Sequence, residues 1–573
     1  MTTHHDNSSK MPTDLIEPLQ RWAEDDPDRV IFTFVENEQE TTLTYGELNR
    51  QAEAIGATLQ DMGLEGERAL LLYQPGLEYV MAFFGCLFAG VVAVPLKAPH
   101  RSRPDERFRA VARDASARVA LTTAKLLAFC ESSLRDSTGA DGLRCITTEA
   151  IPEGAADGWR RPAADGDRLA FLQYTSGSTS APRGVMVSHR NLLHNTAQIA
   201  RRFGSSPERL GVSWLPHYHD MGLIGGIVQA AHVGLSVTLM SPLLFLQRPL
   251  AWLRTISRYQ DREVISGGPN FAYDLCATRV SAEQKAGLNL RNWRVAFSGA
   301  EPVRHETLKR FAAAFEPCGF RPEVFCPSYG LAEATLFVSG GTPGVPPAVK
   351  TVQAHAIERH RVVEEPAQSQ SARSLVSCGR GLNDQKIVIA NPETKATCPP
   401  DEVGEIWVSG PSVAGGYWRR PAETEEVFNA FLSDTGEGPF LRTGDLGFLR
   451  DGELYVTGRF KDLIIIDGRN QYPTDIELTV ERSHTAVRAG GCAAFAVEEG
   501  GQERLVIAAE VARHCADEEL REVESAVRHE VAEAHDLRVH ALLLLRRASI
   551  PRTSSGKIRR YACREAYLSG TLE

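Results

Sequence analysis

A short segment rich in glycine and hydroxyl side chains, residues 174–184, constrains the fold more than any other part of this sequence. It reads Tyr-Thr-Ser-Gly-Ser-Thr-Ser-Ala-Pro-Arg-Gly and lies between two apolar runs, 168–173 and 185–187, with a helix predicted to begin near Leu192. The N–H groups and hydroxyls of such a loop can bind the oxygens of a polyphosphate. A flexible surface turn is the alternative, because such runs often only separate elements and the P-loop lysine is missing.

The length and charge of the chain exclude several classes of protein. Its 573 residues are too many for one core and suggest roughly three to five folding units. The net charge of −10 argues against nucleic acid as the main partner. The 11 cysteines form no CxxC pair and no zinc spacing, and the start of the chain has no apolar signal segment. We therefore expect reduced thiols in a cytoplasmic protein.

The uncharged run of residues 79–96 is at the lower limit of length for crossing a bilayer. Gly85, Gly90 and Pro95 interrupt it, and its last part is β-branched. We predict a buried helix to Ala89, capped by Gly90, and then a buried strand at 91–94. The sequence therefore predicts no membrane span.

Strands and helices alternate through the first part of the sequence. Strands are predicted at 68–73, 236–240 and 263–266, and a helix at 249–258. Buried apolar strands separated by helices indicate a large parallel or mixed sheet covered on both faces. Thr44 and Glu47 form a predicted capping box at the start of an early helix.

The second part of the sequence has a different pattern. Residues 340–377 are polar and irregular, and from 379 onward the strands are shorter and alternate, which is typical of a β-rich subdomain. A last unit has a hairpin around 498–502 and an amphipathic helix with Leu520, Val523, Val527 and Val531 on one face.

Four separated segments carry a resemblance to a known group of enzymes. They are the loop at 174–184, Phe-Cys-Pro-Ser-Tyr-Gly-Leu-Ala-Glu at 325–333, Arg-Thr-Gly-Asp at 442–445 with Gly-Arg-Phe-Lys-Asp at 458–462, and Pro-Arg-Thr-Ser-Ser-Gly-Lys at 551–557. In this order they resemble the adenylate-forming superfamily of acyl-CoA synthetases, luciferase-like enzymes and peptide-synthetase adenylation domains. The match spans almost the whole chain.

The resemblance implies an α/β fold in two domains. The N-terminal domain, residues 1–459, would hold two mixed sheets with helices and the β-rich subdomain. A small mobile α+β lid, residues 460–573, would carry the catalytic lysine, with Lys461 at the hinge.

The resemblance also assigns the nucleotide site. Tyr329 would stack on adenine, Asp445 would accept the ribose hydroxyls, and Arg459 would hold the ribose or phosphate; taken singly, the tyrosine is a core aromatic and the Gly-Asp a turn. The full nucleotide set is Thr175, Ser176, Gly177, Ser178, Thr179, Ser298, Gly299, Ala300, Glu301, Pro302, Ser328, Tyr329, Gly330, Leu331, Ala332, Asp445 and Arg459.

Three residues are assigned to the chemistry, with ATP and Mg²⁺ as cofactors. Glu333 would bind Mg²⁺, Lys557 would bridge the attacking carboxylate and the α-phosphate, and His219 would line the junction of carboxylate and pocket. Without the resemblance, Glu333 would be a helix-start residue, Lys557 a solvated lysine and His219 a structural histidine. The implied reaction forms an acyl-adenylate and pyrophosphate, and a thiol then takes the acyl group.

Four further segments, 214–226, 266–274, 404–418 and 468–477, look like the fatty acyl-AMP ligase branch. That branch has an extra segment, linked to making acyl-adenylate without using coenzyme A, and residues 351–377 occupy its place. The acyl group would then pass to an acyl carrier protein in trans, because the chain ends shortly after Lys557. The predicted acyl pocket consists of His219, Met221, Gly222, Leu223, Gly267, Gly268, Phe271 and Tyr273, with Gly225 and Gly226 leaving room for the chain.

The sequence departs from the superfamily pattern at Ser180, Arg183 and Ala332, which replace a glycine, a lysine and a threonine. These departures bear on the contacts to the β- and γ-phosphates.

Three alternatives stay open: a complete acyl-CoA synthetase, an enzyme that adenylates a bulky natural-product acid, and a non-catalytic acyl-nucleotide-binding protein. The third is disfavoured because Glu333, Asp445, Arg459 and Lys557 are all present.

Overall fold

The computed structural model describes residues 12–36, 39–99, 106–138, 143–175, 182–366, 369, 372–382, 384–466, 469–499, 502–512, 517–553 and 557–572. Its strands are β1 (Val30–Glu36), β2 (Gln39–Thr44), β3 (Arg68–Tyr73), β4 (Val92–Lys97), β5 (Val119–Thr122), β6 (Arg144–Thr147), β7 (Leu169–Thr175), β8 (Arg183–Ser188), β9 (Leu210–Ser213), β10 (Ser236–Met240), β11 (Val264–Gly268), β12 (Trp293–Ser298), β13 (Phe325–Gly330), β14 (Phe337–Gly340), β15 (Val349–Gln353), β16 (Ala372–Val376), β17 (Lys386–Ala390), β18 (Gly404–Ser409), β19 (Leu441–Arg450), β20 (Glu453–Arg459), β21 (Ile464–Ile466), β22 (Arg469–Gln471), β23 (Val487–Glu499), β24 (Gln502–Val511) and β25 (Val539–Leu545).

Helices connect these strands in most of the chain. They are α1 (Ile16–Asp25), α2 (Tyr45–Asp61), α3 (Leu77–Ala89), α4 (Glu106–Ala115), α5 (Leu127–Thr138), α6 (His189–Phe203), α7 (Asp220–Gly222), α8 (Gln229–Val233), α9 (Pro242–Gln247), α10 (Leu250–Arg258), α11 (Asn270–Arg279), α12 (Ala282–Lys285), α13 (His305–Phe315), α14 (Ala354–Ile357), α15 (Pro421–Phe428), α16 (Pro473–Ser483), α17 (Asp517–His535) and α18 (Arg560–Leu568). A π-helical turn, Leu223–Val228, joins α7 to α8.

Two large mixed sheets form the first part of the fold. One has the strand order β14-β13-β12-β11-β9-β10-β1-β2 and the other β6-β5-β3-β4-β7-β8. Both are parallel in their centres. The eight-stranded sheet has an antiparallel strand at each edge, and the six-stranded sheet has one, in the β7–β8 hairpin, while its other edge strand β6 runs parallel to β5. The hairpin carries the glycine- and hydroxyl-rich loop, of which residues 176–181 lie outside the described part of the chain.

The uncharged run folds as predicted. Helix α3 ends at Ala89, Gly90 caps it with φ +71°, and β4 follows as a buried strand. Among the described residues, the structure has no helix long and apolar enough to cross a membrane. The capping box is also present, since Thr44 accepts from the N–H of Glu47 and the Glu47 carboxylate accepts from the N–H of Thr44.

The second part of the fold is β-rich, as expected. Strands β17 to β20 form an antiparallel sheet, and β23, β24 and β25 form a separate sheet packed on α16 and α17. Val523, Val527 and Val531 of α17 are fully buried in this last core, and each such side chain contributes about 1.5–3 kcal/mol. The α/β fold class with a large N-terminal and a smaller C-terminal part is therefore confirmed.

The segment 351–377 corrects one prediction. It was expected to be irregular, but β15 and β16 pair as an antiparallel ribbon from Val349–Val376 to Gln353–Ala372, and α14 follows β15. Val352, Ile357 and Leu375 are buried against the β19–β20 hairpin and Tyr472. Val349 and Val376 on the other face pack against a different core, so each face has only two large apolar residues and the alternation of a strand is not visible in the sequence.

Candidate active site

A cavity of about 610 Å³ lies where the two large sheets, the β19–β20 hairpin and the C-terminal segment meet. The predicted residues that line it are Thr175, His219, Met221, Gly299, Ala300, Ser328, Tyr329, Gly330, Leu331, Ala332, Glu333, Arg459 and Lys557. One part of the cavity is polar and carries the charged groups. The other part is apolar and extends between α6 and the eight-stranded sheet.

The turn after β12 forms one wall of the polar part. Ala300 has φ +68°, and together with Gly299 it lines the cavity, whereas Ser298 and Pro302 do not. Glu301 points behind the turn and accepts from the N–H of Phe271 at 2.6 Å. Burial raises the pKa of Glu301. The turn therefore presents backbone to the cavity, as a site that reads a base edge requires.

Tyr329, Asp445 and Arg459 form a connected group that begins on β13, the strand next to β12. The Tyr329 hydroxyl donates to Asp445 Oδ2 at 2.8 Å, and Arg459 Nε donates to Asp445 Oδ1 at 3.0 Å. Asp445 is buried and does not itself line the cavity. A Cβ at Gly330 would lie 1.7 Å from the carbonyl oxygen of Leu336, so only glycine fits beside this tyrosine.

Glu333 lines the cavity at the end of the same segment. The Tyr417 hydroxyl donates to its Oε1 at 2.8 Å, and the N–H of Ala414 donates to its carbonyl oxygen at 2.9 Å. Burial raises the pKa of this carboxyl group, and the hydrogen bond from Tyr417 opposes that rise. The turn is strained at Thr335, φ +67°, and the Thr335 hydroxyl holds it by donating to the carbonyl of Ser412 at 2.6 Å.

The donor set near Glu333 fits a magnesium ion held mainly by a nucleotide. Among the described residues there is no cluster of three or more histidine, cysteine, aspartate or glutamate side chains able to hold a metal. Mg²⁺ is bound by one or two carboxylates together with phosphate oxygens and water in sites of this kind. The Glu333 carboxylate lines the cavity and is oriented by the Tyr417 phenol, and Asp220 and Asp462 are the other carboxylates of the lining.

Lys557 reaches into the cavity from the C-terminal segment. Its backbone is fixed to Thr553, whose N–H donates to the Lys557 carbonyl at 2.7 Å and whose hydroxyl accepts from the Lys557 N–H at 3.0 Å. Burial lowers the pKa of Lys557, and the charge of Arg459 lowers it further, while Asp220 and Glu301 oppose both. The Lys557 ammonium group is therefore influenced by the positive charge of Arg459 and by the negative charges of Asp220 and Glu301.

His219 and Asp220 form a close pair at the start of α7. His219 Nδ1 and Asp220 Oδ1 are 2.5 Å apart, and the N–H of Met221 donates to Asp220 Oδ1 at 2.7 Å. Burial favours the neutral form of Asp220, but the neighbouring histidine outweighs it, so the pKa of Asp220 is lowered. This carboxylate lines the cavity and was not among the predicted site residues.

The apolar part of the cavity differs from the predicted pocket. Tyr273, Phe271, Gly267, Gly268, Gly222 and Leu223 do not line it. Tyr273 is fully buried in an aromatic core and donates to the carbonyl of Phe297 at 2.7 Å, and a Cβ at Gly268 would contact the ring of Trp214 at 2.5 Å. These residues therefore pack the sheet. The walls come from elements that are far apart in sequence: Phe203, Val212, Leu235, Val237, Phe297 and Leu336.

The remaining predicted residues have other positions. Ser176, Gly177, Ser178 and Thr179 lie outside the described residues. Lys461 is exposed in a single 3₁₀ turn, Phe460–Asp462, directly after β20. Arg183 does not line the cavity, since its Nε pairs with Glu423 Oε2 at 2.7 Å and its guanidinium lies 5.3 Å from the centroid of the Tyr417 ring.

Comparison with known proteins places the chain in a family. The model of the AMP-binding enzyme family matches residues 19–418, and that of the AMP domain of Disco-interacting protein 2-like proteins matches residues 461–573. The chain therefore belongs to the AMP-binding enzyme family.

Its relatives include fatty acid ligases. The chain is 47% identical to the medium-chain-fatty-acid–acyl-carrier-protein ligase JamA of Moorena producens (strain JHB), over 98% of this chain and 96% of the relative. It is 38% identical to the 4-hydroxyphenylalkanoate adenylyltransferase of Mycobacterium marinum (strain ATCC BAA-535 / M), over 99% and 93%. The crystal structure of the fatty acyl-adenylate ligase from L. pneumophila with acyl adenylate and pyrophosphate is 42% identical and matches with a TM-score of 0.77, over 97% and 96%. The resemblance inferred from the sequence is confirmed by these relatives.

Proposed function

We propose that this chain is a fatty acyl-AMP ligase that converts a fatty acid and ATP to acyl-AMP and pyrophosphate and then transfers the acyl group to an acyl carrier protein. The observation that carries the proposal is one cavity with two chemical ends. Lys557, Glu333 and Arg459 line its polar end, and apolar side chains line the other. Such a cavity binds a nucleotide and an acyl chain so that they meet beside Lys557.

The chain's own residues supply positioning and charge stabilisation for the first step. A carboxylate oxygen attacks the α-phosphorus of ATP, an O–P bond forms, and the bond to the departing pyrophosphate breaks. The Lys557 ammonium neutralises charge on the reacting oxygens, and His219, oriented by Asp220, lies at the carboxylate end. Mg²⁺, held by Glu333, would neutralise phosphate charge.

The segment 351–377 contacts the C-terminal part of the chain. Arg373 Nη1 pairs with Asp475 at 2.9 Å and its guanidinium lies 4.8 Å from the centroid of the Tyr472 ring. Asn470 Nδ2 donates to the carbonyl of Glu358 at 3.2 Å. We infer a domain boundary at 459/460, where β20 ends, and a hinge at Lys461. The segment then joins the lid to the N-terminal domain and restrains it.

The first test measures pyrophosphate release with medium- and long-chain acids. Lys557→Ala should lower the rate at least about hundredfold, because the charge that forms in the transition state loses its stabilising cation. Lys309→Ala, an exposed lysine on α13 outside the cavity, is the matched control and should keep the adenylation rate. Adenylation at a nearly normal rate in Lys557→Ala would contradict the role of this lysine.

The second test separates the acceptors. The purified acyl-adenylate complex is mixed with coenzyme A or with a phosphopantetheinylated carrier protein, and the thioester is measured. The proposal expects transfer to the carrier protein only. Rapid acyl-CoA formation would instead identify a complete acyl-CoA synthetase.

A bulky aromatic acid is a second candidate substrate. The relative from Mycobacterium marinum is named for a 4-hydroxyphenylalkanoate, and the cavity is wide at Gly225 and Gly226. A Cβ at Gly225 would have Leu336 at 3.7 Å as its nearest contact. Acids of graded width in the pyrophosphate assay distinguish the two substrates.

We place the reaction in the cytoplasm.

A further inference from the structure

The apolar end of the cavity contains one polar side chain with no partner. Gln229, the first residue of α8, lines the cavity and is 1% exposed. Neither its Nε2 nor its Oε1 has a hydrogen-bond partner among the described residues. A buried amide without partners is costly, and nearly all such groups in folded proteins are hydrogen-bonded. Both amide atoms therefore lie beneath the cavity wall without a partner in the described part of the chain, and a polar group of a bound substrate would supply one where the wall opens to admit it.

The local backbone directs Gln229 into the acyl path. The π-helical turn Leu223–Val228 has a wider spacing than an α-helix, so that Gly225 and Gln229, four residues apart, share one side. Gly225, Gly226 and Gln229 all line the cavity. A Cβ at Gly226 would lie 3.4 Å from Ser213 Oγ, another polar atom of the wall. The two glycines thus open the path that ends beside the amide.

The distance from Met221 to Gln229 along the helix shows which part of a bound acyl chain lies beside the Gln229 amide. On the proposed function, His219 and Met221 lie at the carboxylate end, and Gln229 is eight residues beyond Met221. That is about 12 Å for an α-helix at 1.5 Å per residue, and less here because Leu223–Val228 is π-helical. An extended acyl chain advances roughly 1.25 Å per carbon, so about seven to ten carbons cover that length. The amide therefore faces the distal half of such a chain.

We propose that Gln229 recognises a hydroxyl group on the distal half of the acyl chain, so that the preferred substrate is a hydroxylated fatty acid. The glutamine amide offers two N–H donors on Nε2 and one carbonyl acceptor, Oε1, and a hydroxyl group can accept from the first and donate to the second. A plain alkyl chain would leave both amide atoms unpaired. A site built to bind a hydroxyl group discriminates strongly against the analogue that lacks it. This inference rests on the proposed function.

The experiment compares decanoic acid with its isomers hydroxylated in the distal half of the chain. The readout is kcat/KM for pyrophosphate release, expressed as the ratio of each hydroxy acid to decanoic acid. Wild-type enzyme should prefer at least one isomer by about tenfold or more. Gln229→Leu should lower that ratio by about tenfold or more, mainly by improving the use of decanoic acid.

Gln385→Leu is the matched control. Gln385 is 5% exposed and its two amide atoms also lack partners among the described residues, but it does not line the cavity. The Gln385→Leu enzyme should show the same kcat/KM ratio of hydroxy acid to decanoic acid as the wild type. A wild-type enzyme that uses decanoic acid as well as every isomer would overturn the inference, as would an unchanged ratio in Gln229→Leu.

The failure of the proposed function has a different signature. If no acid causes pyrophosphate release from the wild type, the ligase assignment itself fails. If Gln229→Leu does not fold, the inference is tested by the kcat/KM ratio of hydroxy acid to decanoic acid in the wild type and in Gln229→Met. A water molecule that satisfies the amide would appear as equal or better use of decanoic acid, and this also overturns the inference.

Discussion

At the scale of single residues, Glu333 depends on a partner that the sequence did not reveal. The Tyr417 hydroxyl donates to its carboxylate at 2.8 Å, and the same phenol ring lies beneath the guanidinium of Arg183. Arg183 replaces the lysine usual in the phosphate loop, and its ion pair with Glu423 explains why it can be directed away from the cavity. Tyr417 therefore orients the carboxylate that faces the nucleotide.

Tyr417→Phe should raise the Mg²⁺ concentration needed for half-maximal pyrophosphate release by about tenfold. A hydrogen bond to a charged group contributes roughly 1.5–3 kcal/mol, and the freed carboxylate can adopt other rotamers. Titration of Mn²⁺ binding in the presence of ATP gives a second measurement. Tyr455→Phe is the control, because Tyr455 is buried and does not line the cavity. Identical metal dependence in both variants would argue against the role of Tyr417.

Prediction from sequence worked well where one residue decides one local feature. Gly90 ends α3 because its positive φ suits glycine, and the Thr44–Glu47 capping box forms from side chains three residues apart. Lys557, Tyr329 and Glu333 were assigned by resemblance, and all three line the cavity. Tyr273 was misplaced because its short segment cannot indicate which side of the sheet faces the cavity.

At the scale of elements, the largest surprise is the β15–β16 ribbon. The two strands are separated by a polar stretch, so the sequence offers no tight-turn signal for a hairpin. Its stabilisation comes from Val352 and Leu375, which pack on a hairpin far away in sequence. Likewise, the acyl walls combine α6 with the three strands β9, β10 and β12, and no local pattern predicts such a set.

Arg373 on this ribbon is the strongest contact to the last domain. It pairs with Asp475 at 2.9 Å, donates to the Thr457 carbonyl at 2.9 Å and lies over the Tyr472 ring. Partial burial raises the pKa of Asp475 and the charge of Arg373 opposes this rise, so removal of the arginine leaves a half-buried acid without this partner. The cost is smaller than the roughly 3–5 kcal/mol of breaking a fully buried pair, because the Asp475 side chain is 30% exposed.

Arg373→Ala should therefore speed hydrogen exchange in α16, with little change in the N-terminal sheets. Arg361→Ala is the matched control, because Arg361 pairs with Asp401 at 2.6 Å on the exposed side of the same segment. Hydrogen-exchange mass spectrometry of both variants gives the comparison. Equal protection of α16 in the two variants would show that the ribbon does not restrain the last domain through Arg373.

At the scale of the whole molecule, the last domain has its own hydrophobic core. The buried side chains of α16, α17 and strands β23 to β25 pack on one another, and α18 closes the other face of this sheet. The contacts to the rest of the chain include ion pairs, such as Arg304 with Glu481 at 3.1 Å, and the apolar packing of Tyr472 in one cluster with Val352 and Tyr455. We infer that residues 460–573 form a separate domain, because a unit with its own core can fold alone.

A chain of residues 460–573 should consequently unfold in one cooperative transition when it is expressed by itself. Val527 is fully buried on α17, and Val527→Ala in this fragment should lower its free energy of unfolding by about 1–3 kcal/mol, since a buried branched side chain is lost. Circular dichroism during urea unfolding provides the measurement, with Glu530→Ala on the exposed side of α17 as control. A fragment without a cooperative transition would mean that the boundary at 459/460 divides a single folding unit.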